Sequence, residues 1–192
     1  MNRDVYWTPL DGPGLEHCRL MGAGDVIVAD SQSLRVFDGE AMRLTYTLRM
    51  NAAWCVTDLA LGIEGKGAWH LQSDGNGNWT ASGNAIADLD GCIDVDVSIT
   101  PFTNTLPIRR LDLAVGASQE LRVVYVKLPD MTLQAVGQRY TCLEKSDTGG
   151  RYRYEGLTTG AIADLAVDAD GLVLDYPDAF KRAWSAETAT AE

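Results

Sequence analysis

Arg43-Leu44-Thr45-Tyr46-Thr47-Leu48-Arg49-Met50 alternates apolar and polar residues without a break. Leu44, Tyr46, Leu48 and Met50 share one face, and Arg43, Thr45, Thr47 and Arg49 share the other. Successive side chains of a strand point to opposite faces. A period of two therefore marks a strand with one buried and one wet side, as in an antiparallel sheet. The stretch 92–99 repeats the pattern, with Ile93, Val95, Val97 and Ile99 set against Cys92, Asp94, Asp96 and Ser98. Further strands are predicted at 25–29, 111–115, 121–128 and 162–167. Between them stand Asp38-Gly39, Asp74-Gly75, Asn76-Gly77, Asp90-Gly91 and Asp170-Gly171, dipeptides that tolerate the positive φ of tight reversals.

These signals predict an all-β chain. One short helix is expected near the C-terminus, at Pro177-Asp178-Ala179-Phe180-Lys181-Arg182-Ala183-Trp184, where the proline and acid come early and the cations late. A single domain over 1–184 is expected, with 185–192 as a flexible tail. Arg43-Leu44-Thr45-Tyr46 before Asp58-Leu59-Ala60-Leu61 echoes Arg151-Tyr152-Arg153-Tyr154 before Asp164-Leu165-Ala166-Val167. That is the trace either of two similar sheets wrapped together or of shared strand vocabulary.

The net charge of −11 disfavours nucleic acid as a partner, because affinity for phosphate backbones needs clustered Lys and Arg. It also disfavours docking on anionic membranes. No apolar run approaches the roughly 18–20 residues of a transmembrane segment. The start, Met1-Asn2-Arg3-Asp4-Val5-Tyr6-Trp7-Thr8-Pro9, has no apolar core of a signal peptide, so a cytoplasmic location is expected. Cys18, Cys55, Cys92 and Cys142 are widely spaced and are expected to be reduced thiols.

The segment Thr100-Pro101-Phe102-Thr103-Asn104-Thr105-Leu106-Pro107-Ile108-Arg109-Arg110-Leu111 carries unusual local order. Two prolines fix φ and remove donors, and each pushes its predecessor to an extended conformation. Arg109 and Arg110 are read as entering a strand, Arg109 with the parity of Leu111, Leu113 and Val115. An arginine on an apolar face needs a carboxylate, a set of carbonyls or a ligand anion.

Asp94 and Asp96, at i and i+2, would lie roughly 6.5–7 Å apart, between the carboxylate spacings of retaining and inverting glycosidases. A solvated strand face or the polar lining of a groove gives the same pattern. Glu16-His17-Cys18 invites a metal or base reading. Glu16 and Cys18 share a side that His17 does not, and no activated nucleophile accompanies His17. With two histidines in the chain, His17 and His70, neither a metal site nor a cofactor is expected. Asp74-Gly75-Asn76-Gly77-Asn78 opens like a calcium loop but has Trp79 where glycine and Ala85 where glutamate are required, so it is read as a turn. Trp7, Trp54, Trp69, Trp79 and Trp184 suit a β core or an acyl pocket, with Trp79 expected to be exposed.

Trp7-Thr8-Pro9-Leu10 followed by Gly14-Leu15-Glu16-His17-Cys18 resembles the start of the bacterial putative glycolipid-binding family, formerly a domain of unknown function. Gly91-Cys92-Ile93-Asp94-Val95-Asp96 leading into the 100–111 segment is similar to that family's most distinctive stretch. Leu128-Pro129-Asp130, Gln138-Arg139-Tyr140-Thr141 and the run from Asp170-Gly171 to Tyr176-Pro177 also fit. The resemblance implies a many-stranded antiparallel spiral β-roll or half-barrel, and binding of a glycolipid or fatty-acyl ligand. It brings no catalytic residues. Met50-Asn51-Ala52-Ala53-Trp54-Cys55-Val56 departs from the family pattern, which has an acidic residue and an Arg beside the tryptophan, and this leaves the member's own ligand open.

Three functions follow as alternatives. The first is a non-catalytic amphiphile binder using Glu16, His17, Tyr46, Trp54, Asp94, Asp96, Asn104, Arg109 and Arg110. In it, Trp54 or Tyr46 forms an apolar wall, and Asp94, Asp96, Asn104 and Arg110 sit at a cavity mouth. The second is an enzyme on a sugar or acyl substrate, using Asp94, Asp96, Glu16 or His17. The third is a structural or regulatory partner protein. The oligomeric state is not legible in the sequence.

Overall fold

The stretch 43–50 lies inside β4 (Glu40–Asn51), where Met42, Leu44, Tyr46, Leu48 and Met50 are buried and Arg43, Thr45 and Arg49 are exposed. The computed structural model describes residues 2–188. On one side of β4 the chain returns through β3 (Val26–Phe37) and β2 (Gly14–Ala23) to β1 (Asn2–Pro9). On the other it continues through β5 (Val56–Ile63), β6 (Gly67–Ser73), β7 (Trp79–Ala81) and β8 (Asn84–Ala85). After β9 (Asp94–Val97) and α1 (Thr105–Leu111), a second meander follows. It comprises β10 (Ser118–Lys127), β11 (Thr132–Ser146), β12 (Gly149–Gly156), β13 (Ile162–Asp168), β14 (Val173–Tyr176) and β15 (Phe180–Glu187).

The two meanders are one sheet of fifteen strands, joined where β15 pairs antiparallel with β1, from Arg3↔Glu187 to Pro9↔Phe180. The echoed segments thus lie in a single sheet, not in two. Every neighbouring pair is antiparallel except β9–β10, which is parallel. The sheet is not closed into a barrel. It curls far enough that Gly91 N donates to Gly77 O at 3.0 Å and Trp79 Nε1 donates to Cys92 O at 2.6 Å. Trp79 is therefore buried, at 1% exposure, and not a surface residue: its polar turn leads inward and a carbonyl takes its N–H.

The interior of the roll is filled by chain, not by side chains alone. Every residue of 99–108 is buried. Here the structure corrects the sequence reading. Residues 102–104 form a 3-10 turn that runs into α1, and the strand expected at 111–115 is absent. Pro107 stands in the first turn of α1, where its missing N–H has no helical acceptor in any case. Arg109 and Arg110 fall in the last turn, where the helix dipole favours cations, and Asp112 ends the helix at φ 44°. The apolar 111–115 parity is incidental, since Val115 is exposed.

The C-terminal helix is likewise replaced. Residues 177–179 turn the chain, with Asp178 at φ 62°, and Phe180–Glu187 is β15. The unpaired edge of β1 supplies a ladder of acceptors and donors that outweighs a weak helical preference. Of the expected tail, 185–187 belong to this strand, and 189–192 lie outside the described residues.

Candidate functional site

The buried 99–108 segment, a plug across the roll, is held from both halves of the sheet. Glu16 Oε1 accepts hydrogen bonds from Ser31 Oγ (2.8 Å), Tyr46 Oη (2.8 Å) and Thr100 Oγ1 (2.7 Å). Burial pushes the Glu16 carboxyl up, against the lowering effect of these three donors. Arg35 reaches Ile99 O at 3.4 Å while its Nη2 grips both oxygens of Asp11. From the other half, Tyr140 Oη donates to Asn104 Oδ1 at 2.8 Å, and Thr105 Oγ1 donates to Gly171 O at 3.0 Å. Glu16, Tyr46 and the Thr100 hydroxyl thus form a lock under the plug. Tyr46 stacks near Phe102, with ring centroids 6.5 Å apart, and walls no cavity with Trp54.

His17 points to the opposite side of β2, stacked on Tyr6 at 4.5 Å and bonded to Asp4 Oδ1 at 2.6 Å. Burial raises the Asp4 carboxyl, but its bonds to His17 and Arg19 outweigh this and leave it lowered. His17 and Glu16 therefore do not meet. Among the described residues no cluster of His, Cys, Asp and Glu is placed to hold a metal. Asp74 of the calcium-like turn is occupied locally, accepting from Asn76 N, Asn78 N and Asn78 Nδ2. The four cysteines are unpaired, Cys55 alone being partly exposed.

Asp94 is fully buried and Asp96 partly buried on a cavity, so the pair does not form an open solvated strand face. In β9, which pairs parallel with β10, Asp94, Val95 and Val97 are buried and Asp96 is partly buried. The two carboxylates are handled differently. Asp94, with no exposure, accepts from Arg110 Nε at 3.0 Å and Arg110 Nη2 at 2.5 Å, a bidentate fork. Burial still raises the Asp94 carboxyl, against the lowering by Arg110. Among the described residues Asp96 has no cationic partner. It accepts from Gln138 Nε2 at 2.6 Å and Thr103 Oγ1 at 3.3 Å, and burial pushes it up past the effect of those bonds.

Asp96 lies on a cavity of ≈ 310 Å³ at one end of the plug. Asn104 and Gln138 add polar groups, and Tyr125, Tyr154 and Tyr176 line its walls. Tyr140, Tyr154, Tyr176 and Phe180 form a ladder of rings across β11, β12, β14 and β15, at centroid distances of 5.6, 6.4 and 6.4 Å. Burial raises the tyrosine hydroxyls, that of Tyr176 to about 12, so they stay protonated donors at neutral pH. A second hollow, ≈ 480 Å³, opens at the other end of α1 beside Trp54, Arg109 and Arg110. Arg109 is half-buried. Among the described residues it pairs with neither a carboxylate nor the plug's carbonyls; its guanidinium lies over the Trp54 indole, 5.2 Å from the ring centroid. The expected constellation is thus split: Asp96 and Asn104 on one cavity, Trp54, Arg109 and Arg110 on the other, and Glu16, Tyr46 and Asp94 buried in locks between elements.

Gln138, Tyr125, Tyr154 and Tyr176 were not among the site residues expected from the sequence, although Gln138 and Tyr176 stand in the stretches that carry the family resemblance and Tyr154 in the internal echo. The available signal was Arg151-Tyr152-Arg153-Tyr154, in which Tyr152 is buried while Arg151 and Arg153 are exposed.

A family model described as "Putative glycolipid-binding" matches residues 4–182. The chain belongs to that family. A solved structure of a DUF1089 family protein from Pseudomonas aeruginosa is similar, with 36% sequence identity and a TM-score of 0.76, over 88% of this chain and 91% of that one. No curated protein matches. The family region includes every strand of both cavities except the last residues of β15. No helix among the described residues is long and apolar enough to cross a membrane.

Proposed function

We propose that the tyrosine-lined cavity binds the sugar headgroup of a glycolipid or a related amphiphile, without turning it over. The observation that carries this reading is the pairing of an aromatic ladder with Asp96, Gln138 and Asn104 on one cavity wall. A sugar ring has apolar C–H faces and a hydroxyl edge. The faces suit tyrosine rings, and the edge suits a carboxylate, two amides and neutral phenols. At ≈ 310 Å³ the cavity is at the small end for ligand sites, sized for a headgroup and not for a long chain. The exposed Leu157 and Ile162 flank rim residues Gly156, Thr158 and Thr159, and offer a ledge for the chain.

Calorimetric titration with monomeric alkyl glycosides, against the matching alkanol and the free sugar, tests it. Saturable binding of the glycosides is expected, weakened by Tyr154→Ala and by Asp96→Asn. Absence of saturable binding, with no lipid co-purifying in native mass spectra, overturns the reading. Release of free sugar during the incubation would overturn the non-catalytic part.

A further inference from the structure

The second hollow stands apart from the sugar reading and does not rest on it. We propose that the Trp54–Arg109 hollow is an anion site that takes a phosphoryl group.

The first ground is Arg109 itself. Among the described residues its guanidinium makes no ion pair and no side-chain hydrogen bond, although it is half-buried on a concave surface. The other charges lining the hollow are engaged. Arg110 places Nε and Nη2 on Asp94, Lys145 Nζ sits 2.5 Å from Asp112 Oδ1, and Asp168 is held by Arg3 and Arg182. Among the described residues that line the hollow, one positive charge is therefore left without a partner.

The second ground is that the arginine is posed. Trp54 sits at φ 64°, a left-handed conformation that is strained for a bulky aromatic residue. Asn51 enforces it: Asn51 Oδ1 accepts from Ala53 N and Cys55 N, both at 3.0 Å, and Asn51 O accepts from Trp54 N at 2.9 Å. The result is an indole platform under Arg109. The Arg109 stem is braced from behind by Gly171, at φ 76°, where an added Cβ would stand 3.0 Å from Arg109 Cδ. A cation over an aromatic face keeps its in-plane N–H donors free, which is the fork that binds phosphate or carboxylate bidentately. Arg110, held by Asp94, and Lys145 line the same hollow. Lys145 can leave the exposed Asp112 at little cost, because surface pairs are weak. Free Arg109, with Lys145 able to join it from Asp112, offers up to two cationic donors, which suits the doubly charged phosphoryl group better than a single carboxylate.

The phosphoryl group can belong to a free anion or to the headgroup of a phosphorylated amphiphile. Titrating the full chain with inorganic phosphate and with a monomeric short-chain phosphatidic acid, read by tryptophan fluorescence and calorimetry, separates the two. Saturable binding of either supports the site, and preference for the amphiphile assigns the headgroup source. Arg109→Gln should weaken binding roughly ten- to a hundredfold, the worth of charge-assisted hydrogen bonds. Arg109→Lys, which keeps the charge and guards against a folding defect, should lose less. Tyr154→Ala, on the other cavity, should leave phosphate affinity unchanged. No saturable binding of either probe by the wild-type chain overturns the proposal, as does equal binding by a folded Arg109→Gln.

Discussion

Two neighbouring arginines show how little residue type decides alone. Arg110 forks onto the fully buried Asp94, so removing it strands a charge in the interior. Arg110→Ala is expected to cost about 3–5 kcal/mol in urea denaturation, and adding Asp94→Asn should recover part of that loss. Arg109 rests half-buried on Trp54 with no charge to strand, and Arg109→Ala should cost about 0.5–1 kcal/mol, the scale of a partly solvated cation–π contact. Asp96 behaves in the opposite sense to both. Its folded pKa is raised above the ordinary 3.8 by burial, so the folded state holds its proton more tightly than the unfolded chain does. Its contribution is favourable below the unfolded pKa and is lost as pH rises from about 3.8 through the raised folded value. Asp96→Asn should therefore raise the thermal midpoint at neutral pH, with a gain that shrinks on acidification, while weakening sugar binding. A lower midpoint at neutral pH would show that Gln138 and Thr103 stabilise the ionised form more than burial opposes it.

At the scale of elements, the plug decides the interior. Leu106 is fully buried within α1, and Leu106→Ala should lower stability by about 2–5 kcal/mol, as cavity-forming core truncations do. Tyr46→Phe removes one donor from Glu16 and should cost about 1–3 kcal/mol, measured by the same denaturation. The strands were legible because alternation is a local consequence of pleat and burial. β4 carries it in full, from Met42 to Met50. The helix was not legible. Seven residues with Pro107 among them and Pro101 shortly before have little intrinsic helicity, and α1 exists because the curled sheet buries it. The same holds in reverse for β15, whose residues have a helix-like charge order but meet an open edge of β1.

At the scale of the molecule, β1–β15 pairing makes one sheet of two meanders and brings both cavities under it. A chain ending at Ala179 would lose β15 and expose the edges of β1 and β14. Such edges pair with other chains, so aggregation on gel filtration and loss of the β-sheet dichroism are expected. Pairing residues as far apart as Arg3 and Glu187 also implies slow folding, because loop closure precedes the contact. Refolding in the millisecond-to-second range is expected by stopped-flow fluorescence, and microsecond folding would contradict the topology. By itself the sequence determined the all-β class, the reversals at the Asp-Gly and Asn-Gly dipeptides, the family and the importance of the 100–111 segment, since each rests on local pattern and local backbone restriction. Only the tertiary structure decided that this segment is a helix inside the roll, that Asp94 takes Arg110 while Asp96 takes none, and that the candidate residues divide between two cavities. Those outcomes depend on which groups the curled sheet brings within hydrogen-bond reach and removes from water, which no local pattern encodes.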